Sequence, residues 1–278
     1  MSLGKSVGAL AQYAKDVLGI YRSPFTRQRK VRLWFRLTLL AAGFRNGNIL
    51  GFTVTYFNHR TLFFLYREIF ARQCYLFHAR TARPFILDCG ANIGMAVLYF
   101  KWLYPDAEVW AFEPEPRAFL ALQQNVARNH LADVRVHDIA LWDADGELNL
   151  FVPGIDAGSF AASVSPARRG GTALNVRCAR LSSFIEREVD FLKLDVEGAE
   201  LQVITDLAES GKLALIHQMV IEYHHNIPTE TAALSSLLRL LEDAGFTYQI
   251  SAWSFPLVGR EHFQDVLIGA FRATPNDQ

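Results

Sequence analysis

From Pro84 onward, short apolar runs alternate with longer amphipathic stretches. The pattern predicts a strand over 85–89, a helix over 93–104 stopped by Pro105, a strand over 108–112, a helix over 115–129 and a strand over 133–138. Two strand-like stretches follow, 146–152 and 175–180. The alternation then resumes with a strand over 190–195, a helix over 199–208, a strand over 216–223 and a helix over 230–244. Two last strands, about 246–252 and 264–272, read as a closing antiparallel hairpin. Strands alternating with helices argue an α/β fold, with a doubly wound, mostly parallel sheet covered by helices on both faces. In such sheets ligands bind beyond the carboxyl ends of the strands.

Ahead of this region, residues 5–42 read as helical with breaks near Gly19 and Ser23-Pro24. Ile49 to Asn58 reads as strand-like. Thr61 to Cys74 reads as a helix whose aromatics, Phe63, Phe64, Tyr66 and Phe70, face a core. The expected organisation is a mainly helical N-terminal extension over 1–84 and a ligand-binding domain over 85–275. Residues 153–174, rich in Gly, Ser and Ala, read as a loop carrying Ser159, Ser163, Ser165, Arg168 and Arg169. It is either a lid over an acceptor or a plain connector.

A chain of 278 residues that is 51% apolar can bury a sizeable core. Cys74, Cys89 and Cys178 lack metal-ligand spacing and read as reduced thiols of a cytoplasmic protein. No apolar run reaches the ~18 residues of a membrane span, and the first ten residues lack the apolar region of a signal peptide. The zero net charge conceals a division. Residues 1–85 hold 14 Lys/Arg against two acids, and residues 86–278 hold 14 against 26, so the parts carry +12 and −12. The basic part packs on its own acidic partner, meets an anionic substrate, or touches an anionic membrane face. Over 27–36, cations interleave with Trp34 and Phe35, as in interfacial helices. Peripheral contact at an inner membrane face through residues 5–45 is therefore one expectation, and a homodimer covered by this segment is another. No motif points to nucleic acid.

The strand over 85–89 ends in Asp88-Cys89-Gly90-Ala91-Asn92-Ile93-Gly94, an acid followed by a small-residue turn and a helix. Free backbone N–H groups at such a turn suit a polar ligand. Nineteen residues past Gly94, the next strand ends in Glu113-Pro114, where an acid can accept from both hydroxyls of a ribose. A nucleoside-containing cofactor follows. The dinucleotide pattern G-x-G-x-x-G fails, because Asn92 and Met95 replace its second and third glycines. That disfavours a nicotinamide-dependent oxidoreductase. The pattern Asp88-x-Gly90-x-Asn92-x-Gly94 resembles the turn of S-adenosylmethionine-dependent methyltransferases with a Rossmann-like fold.

Two further blocks, Leu192-Lys193-Leu194-Asp195-Val196-Glu197-Gly198-Ala199-Glu200 and Ile221-Glu222-Tyr223-His224-His225, narrow this. Taken in order with Phe112-Glu113-Pro114, the motifs over roughly 48–250 resemble the FkbM-type methyltransferases. The resemblance implies S-adenosylmethionine as cofactor and O-methylation of a hydroxyl on a sugar, glycan or polyketide acceptor. It places Gly90, Ala91, Asn92 and Gly94 at the methionine end, with Asp88 near the amino group. Glu113 lies at the ribose and Asp195 beside the transferred methyl; Asp138, ending the strand over 133–138, is either an acceptor for the adenine amino group or a turn residue, and Pro114 and Ala140 are further candidate cofactor contacts. A hydroxyl acceptor needs a base, because an alcohol is a poor nucleophile at neutral pH. Asp195 and His224 are the favoured pair, with Glu222 orienting and Lys193 holding Asp195 or Glu222. Ser159, Ser163, Glu197 and His225 are candidate acceptor contacts. The competing scheme places a divalent metal on Asp195, Glu222 and His224; a cofactor-binding protein without catalysis is the remaining alternative.

Overall fold

The computed structural model describes residues 47–152, 163–164, 171–225, 233–252 and 264–272. The expected helices over 5–42 and the loop residues Ser159, Ser165, Arg168 and Arg169 lie outside them, as does the side chain of His225.

The chain enters through a two-residue hairpin, β1 (Asn48–Ile49) and β2 (Phe52–Thr53), in place of the longer strand expected over 49–58. The hairpin docks on a later helix through two amides one turn apart. Asn125 exchanges hydrogen bonds with the backbone of Thr55, and Asn129 does so with Thr53. Helix α1 (His59–Leu65) is capped by Asn58, whose side chain accepts from the Thr61 N–H. It widens into a π-type turn over Tyr66–Ala71, with the Arg72 N–H reaching Arg67 O at 2.9 Å. The helix expected over 61–74 therefore ends early, and Cys74 and Tyr75 lie beyond it.

The alternating region forms β3 (Phe85–Cys89), α2 (Met95–Leu103), β4 (Glu108–Phe112), α3 (Pro116–Arg128) and β5 (Val134–His137). After an excursion come β9 (Val189–Leu194), α4 (Glu200–Glu209), β10 (Ile216–His225), α5 (Leu234–Asp243), β11 (Thr247–Ala252) and β12 (Gln264–Phe271). Their strands make one seven-stranded sheet in the order β11-β12-β10-β9-β3-β4-β5. The strands from β10 to β5 run parallel, and β12 is antiparallel to both of its neighbours. The closing hairpin is thus present, with its second strand inside the sheet.

Alternate residues of the strands feed two cores. Ile86, Val109, Phe191 and Val220 pack under α1, α2 and α3, where Phe77 stacks on Phe191 at 4.3 Å. Leu87, Leu192, Leu194 and Ile221 pack under α4 and α5. Helices cover both faces, as the alternation predicts.

The excursion is a separate three-stranded sheet of β6 (Ala140–Trp142), β7 (Gly146–Val152) and β8 (Thr172–Arg180), in the order β6-β8-β7. β6 is too short to announce itself in the sequence. β8 begins at Thr172, inside the stretch expected to be loop.

The order in which successive strands are added reverses between β3 and β9, from which β3-β4-β5 runs one way and β9-β10 the other. In sheets with this order the ligand crevice lies beyond the carboxyl ends of the strands at this point. The expected cofactor turn, Glu113, Asp195 and His224 all stand there.

Candidate active site

The turn after β3 is shaped by close approach within the protein. Gly90 has φ +81°, and a Cβ built there meets the Asp195 carbonyl oxygen at 1.7 Å. Gly94 has φ +87°, and its Cβ meets Leu122 Cδ1 at 2.7 Å. Only glycine combines these backbone angles with so little room. The two glycines let β3 lie against the β9 turn and α2 against α3; their scarcity of side chain serves the frame. Asn92, at φ +50°, sends its N–H to Glu113 Oε2 at 2.7 Å. Ala91 is buried, and its N–H donates to Phe112 O.

Glu113 closes β4. Its second oxygen accepts from the Glu115 N–H at 2.9 Å. Burial pushes its carboxyl up to about 7 against these two backbone hydrogen bonds. Pro114 carries the chain to Glu115, which caps α3 by accepting from Ala118.

Asp88 and Lys193 face each other in the β3–β9 ladder. Asp88 is fully buried, with Lys193 Nζ 3.2 Å from Oδ1. Neither of its oxygens has another hydrogen-bond partner among the described residues. Burial raises its pKa, and the Lys193 charge draws it back in part. Lys193 donates to Gly90 O at 2.6 Å and lies 3.5 Å from Asp195 Oδ2. Burial alone would lower its pKa; Asp88 and Asp195 outweigh that and raise it, so it stays a cation. Of the two carboxylates expected near Lys193, Asp195 is the one at 3.5 Å, and Asp88 is a further neighbour at 3.2 Å.

His224 ends the run of β10 side chains. Its Nδ1 is 2.9 Å from Glu200 Oε1. Glu200 is 1% exposed and also accepts from the N–H groups of Val196 and Gly198. Burial alone would raise its pKa; the imidazole and these donors reverse the shift and hold it ionised. The carboxylate against His224 is thus Glu200, where the sequence suggested Glu222. On its other side, Nε2 is 3.5 Å from Glu197 Oε2 and 3.9 Å from Asp195 Oδ1. Glu222 lies two residues earlier on the same strand, nearly 7 Å back along it. One of its oxygens is 3.5 Å from the Tyr75 hydroxyl.

Tyr75 was not legible as a site residue. It is buried after the π-type turn, with its ring 5.5 Å from Lys193 Nζ. Burial first, then Cys74 and Glu222, raises its pKa well above the ordinary phenol value. Glu200 had a signal in its spacing, since an acid directly after a Gly-Ala turn can reach back to the free N–H groups of that turn.

The remaining expectations fall around the rim. Asp138 is exposed, and Arg177 Nη2 donates to its Oδ1 at 2.7 Å. Ala140 is buried at the start of β6, beside Cys178. Ser163 is buried: its backbone pairs with Phe151, and its hydroxyl donates to Glu197 O at 2.8 Å. This ties the stretch beyond β7 to the β9 turn.

The family description "Methyltransferase FkbM domain" matches residues 88–248, which run from Asp88 in β3 into β11. The chain belongs to the FkbM methyltransferase family. It is a methyltransferase with 31% identity over 215 residues to methyltransferase sdnD of Sordaria araneosa, covering 66% of this chain and 81% of that one. It is 32% identical over 230 residues to the 31-O-demethyl-FK506 methyltransferase FkbM of Streptomyces tacrolimicus, covering 71% and 86%. A crystal structure of methyltransferase FkbM from Methylobacillus flagellatus KT is 17% identical with a TM-score of 0.48, covering 72% of this chain and 46% of that one. This chain thus spans just under half the length of that protein. The methyltransferase match leaves out Tyr75, which reaches the crevice from before the matched segment. Among the described residues no helix is long and apolar enough to cross a membrane.

Proposed function

We propose that this methyltransferase moves a methyl group from S-adenosylmethionine to a hydroxyl oxygen of a sugar, glycan or polyketide-like acceptor. The observation that carries this is the division of the crevice. Asp88, Asn92 and Glu113 stand at the ends of β3 and β4; Asp195, Glu197 and His224 stand at the ends of β9 and β10. The first group fits the cofactor. Asp88 is a buried carboxylate with bonding capacity left over, suited to an ammonium directly or through water. The free lone pairs of Glu113 suit a diol. Six carboxylates around two cationic or titratable side chains also favour a positively charged ligand. When bound, S-adenosylmethionine supplies an already activated methyl electrophile.

The chain's own residues position the acceptor and manage one proton. Lys193 fixes Asp195 from the cofactor side, while Glu200 fixes the ring of His224 from behind. Together with Glu197 these groups receive the acceptor hydroxyl and lower the cost of its ionisation. Support for an oxygen acceptor comes from the Streptomyces relative, whose name specifies an O-demethyl substrate. An anionic acceptor, or an anionic membrane surface from which it is drawn, suits the +12 charge of residues 1–85. The test is calorimetric titration with S-adenosylhomocysteine and, separately, NAD. Saturable binding of the first alone, weakened at least tenfold by Glu113→Ala, is expected. Binding of NAD alone, or wild-type affinity in the variant, refutes the cofactor assignment.

A further inference from the structure

Three donor atoms at the acceptor side of the crevice converge on one point. One atom each from Asp195, Glu197 and His224 lies within 4.8 Å of the other two. His224 is almost fully buried, whereas the two carboxylates are 23% and 21% exposed, so the cluster opens to solvent on one side. Each member is held by a separate contact. Glu200 takes Nδ1 of His224 and turns Nε2 into the cluster. Lys193 takes Oδ2 of Asp195, while Oδ1 faces the imidazole. Glu197 stands at φ +57°, a left-handed conformation costly for a residue with a Cβ, and Ser163 holds its carbonyl.

We propose that Asp195, Glu197 and His224 bind one divalent cation of the Mg²⁺/Mn²⁺ class, with positions open for the acceptor hydroxyl. Two carboxylates and one imidazole are hard and borderline ligands suited to such ions. Bonds of about 2.1 Å place neighbouring ligands roughly 3–3.5 Å apart. Nε2 already lies 3.5 Å from Glu197 Oε2 and 3.9 Å from Asp195 Oδ1, so two partly exposed side chains close the remaining gap while the buried ring stays put. The buried, ionised Glu200 behind Nδ1 is the carboxylate–imidazole support that metal-binding histidines have. A hydroxyl bound to the cation ionises more readily, its proton leaving to water at the open side.

The acceptor role rests on the proposed O-methylation; the cation site does not, and the tests are separate. Chelator-stripped full-length protein is titrated with Mn²⁺ alone, followed by electron paramagnetic resonance. One saturable equivalent is expected. Glu197→Gln and Asp195→Asn each weaken it tenfold or more, and His217→Gln leaves it unchanged. Electron spin-echo spectra of the wild-type complex carry nitrogen modulation from one imidazole, a readout that depends on no variant folding. No saturable binding, no nitrogen modulation, or affinity indifferent to both carboxylate variants overturns the site. Mn²⁺ binding by a protein that fails to bind S-adenosylhomocysteine refutes the methyl-donor assignment and leaves the cation site standing.

Discussion

Replacing Lys193 by Met keeps the length of the stem and removes the charge that faces Asp88. The carboxylate is fully buried, has Lys193 Nζ at 3.2 Å, and has no other hydrogen-bond partner among the described residues. Removing one member of a buried ion pair costs about 3–5 kcal/mol, because the other charge is left without compensation. The lost hydrogen bond to Gly90 O, 2.6 Å long, adds about 1 kcal/mol. A typical domain has about 5–15 kcal/mol in total, so the variant folds at low temperature and melts early. The loss depends on pH with a definite sign. Burial raises the folded pKa of Asp88 above its unfolded value, and without Lys193 it rises further. A carboxyl with a raised folded pKa favours folding when protonated, and that contribution is lost as pH rises through the folded value. The deficit of Lys193→Met is therefore larger at pH 8 than at pH 5. Urea denaturation followed by circular dichroism at the two pH values measures both quantities. The double variant Asp88→Asn, Lys193→Met recovers about 2 kcal/mol or more relative to the sum of the single variants. A loss below about 1 kcal/mol that is the same at both pH values, with no coupling in the double variant, refutes the description of this pair as desolvated and mutually dependent.

Burial holds the Glu113 carboxyl near 7, so S-adenosylhomocysteine affinity falls as pH drops from 8 to 6, while apo stability rises over the same interval; Glu113→Gln flattens both profiles. Gly94→Ala costs about 1–3 kcal/mol by thermal melting, and Leu122→Ala in the same chain recovers part of the loss, since the new methyl meets Leu122 Cδ1. Tyr75→Phe removes the hydroxyl 3.5 Å from Glu222 and lowers kcat several-fold at unchanged melting temperature, whereas Tyr75→Ala also destabilises by about 3–5 kcal/mol as a buried aromatic truncation. Glu200→Gln keeps the shape behind His224 without the charge and reduces activity by about 10–100-fold with little change in cofactor affinity.

The parallel sheet was legible because its strands are short, apolar and bounded by turns, and because the helices between them keep a 3.6-residue period. Asp88, Asn92, Glu113, Asp195 and His224 were legible for a related reason: each stands where an apolar run stops, and in this topology all such stops face one crevice. Pairing within the crevice was not legible. Whether His224 turns to Glu222 or Glu200 depends on strand end and turn geometry, which sequence spacing does not encode. Tyr75 was hidden by a helix that opens into a π-type turn, a change of pitch with no compositional signature. The inner placement of β12 was equally hidden, since a hairpin predicts adjacency and says nothing of which member meets the older sheet.

That placement bears on how the chain is made. Synthesis delivers β10 well before β12, and β10 pairs with β12 over most of its length, from Gln218 to His225. Until residues 264–271 emerge, the strand that carries His224 presents an open row of backbone donors and acceptors, the kind of edge on which nascent chains join one another. β11 can attach only through β12. A ribosome stalled between the two strands therefore holds a sheet with an adhesive flank, and a fragment that ends with the matched family segment at residue 248 keeps that flank permanently.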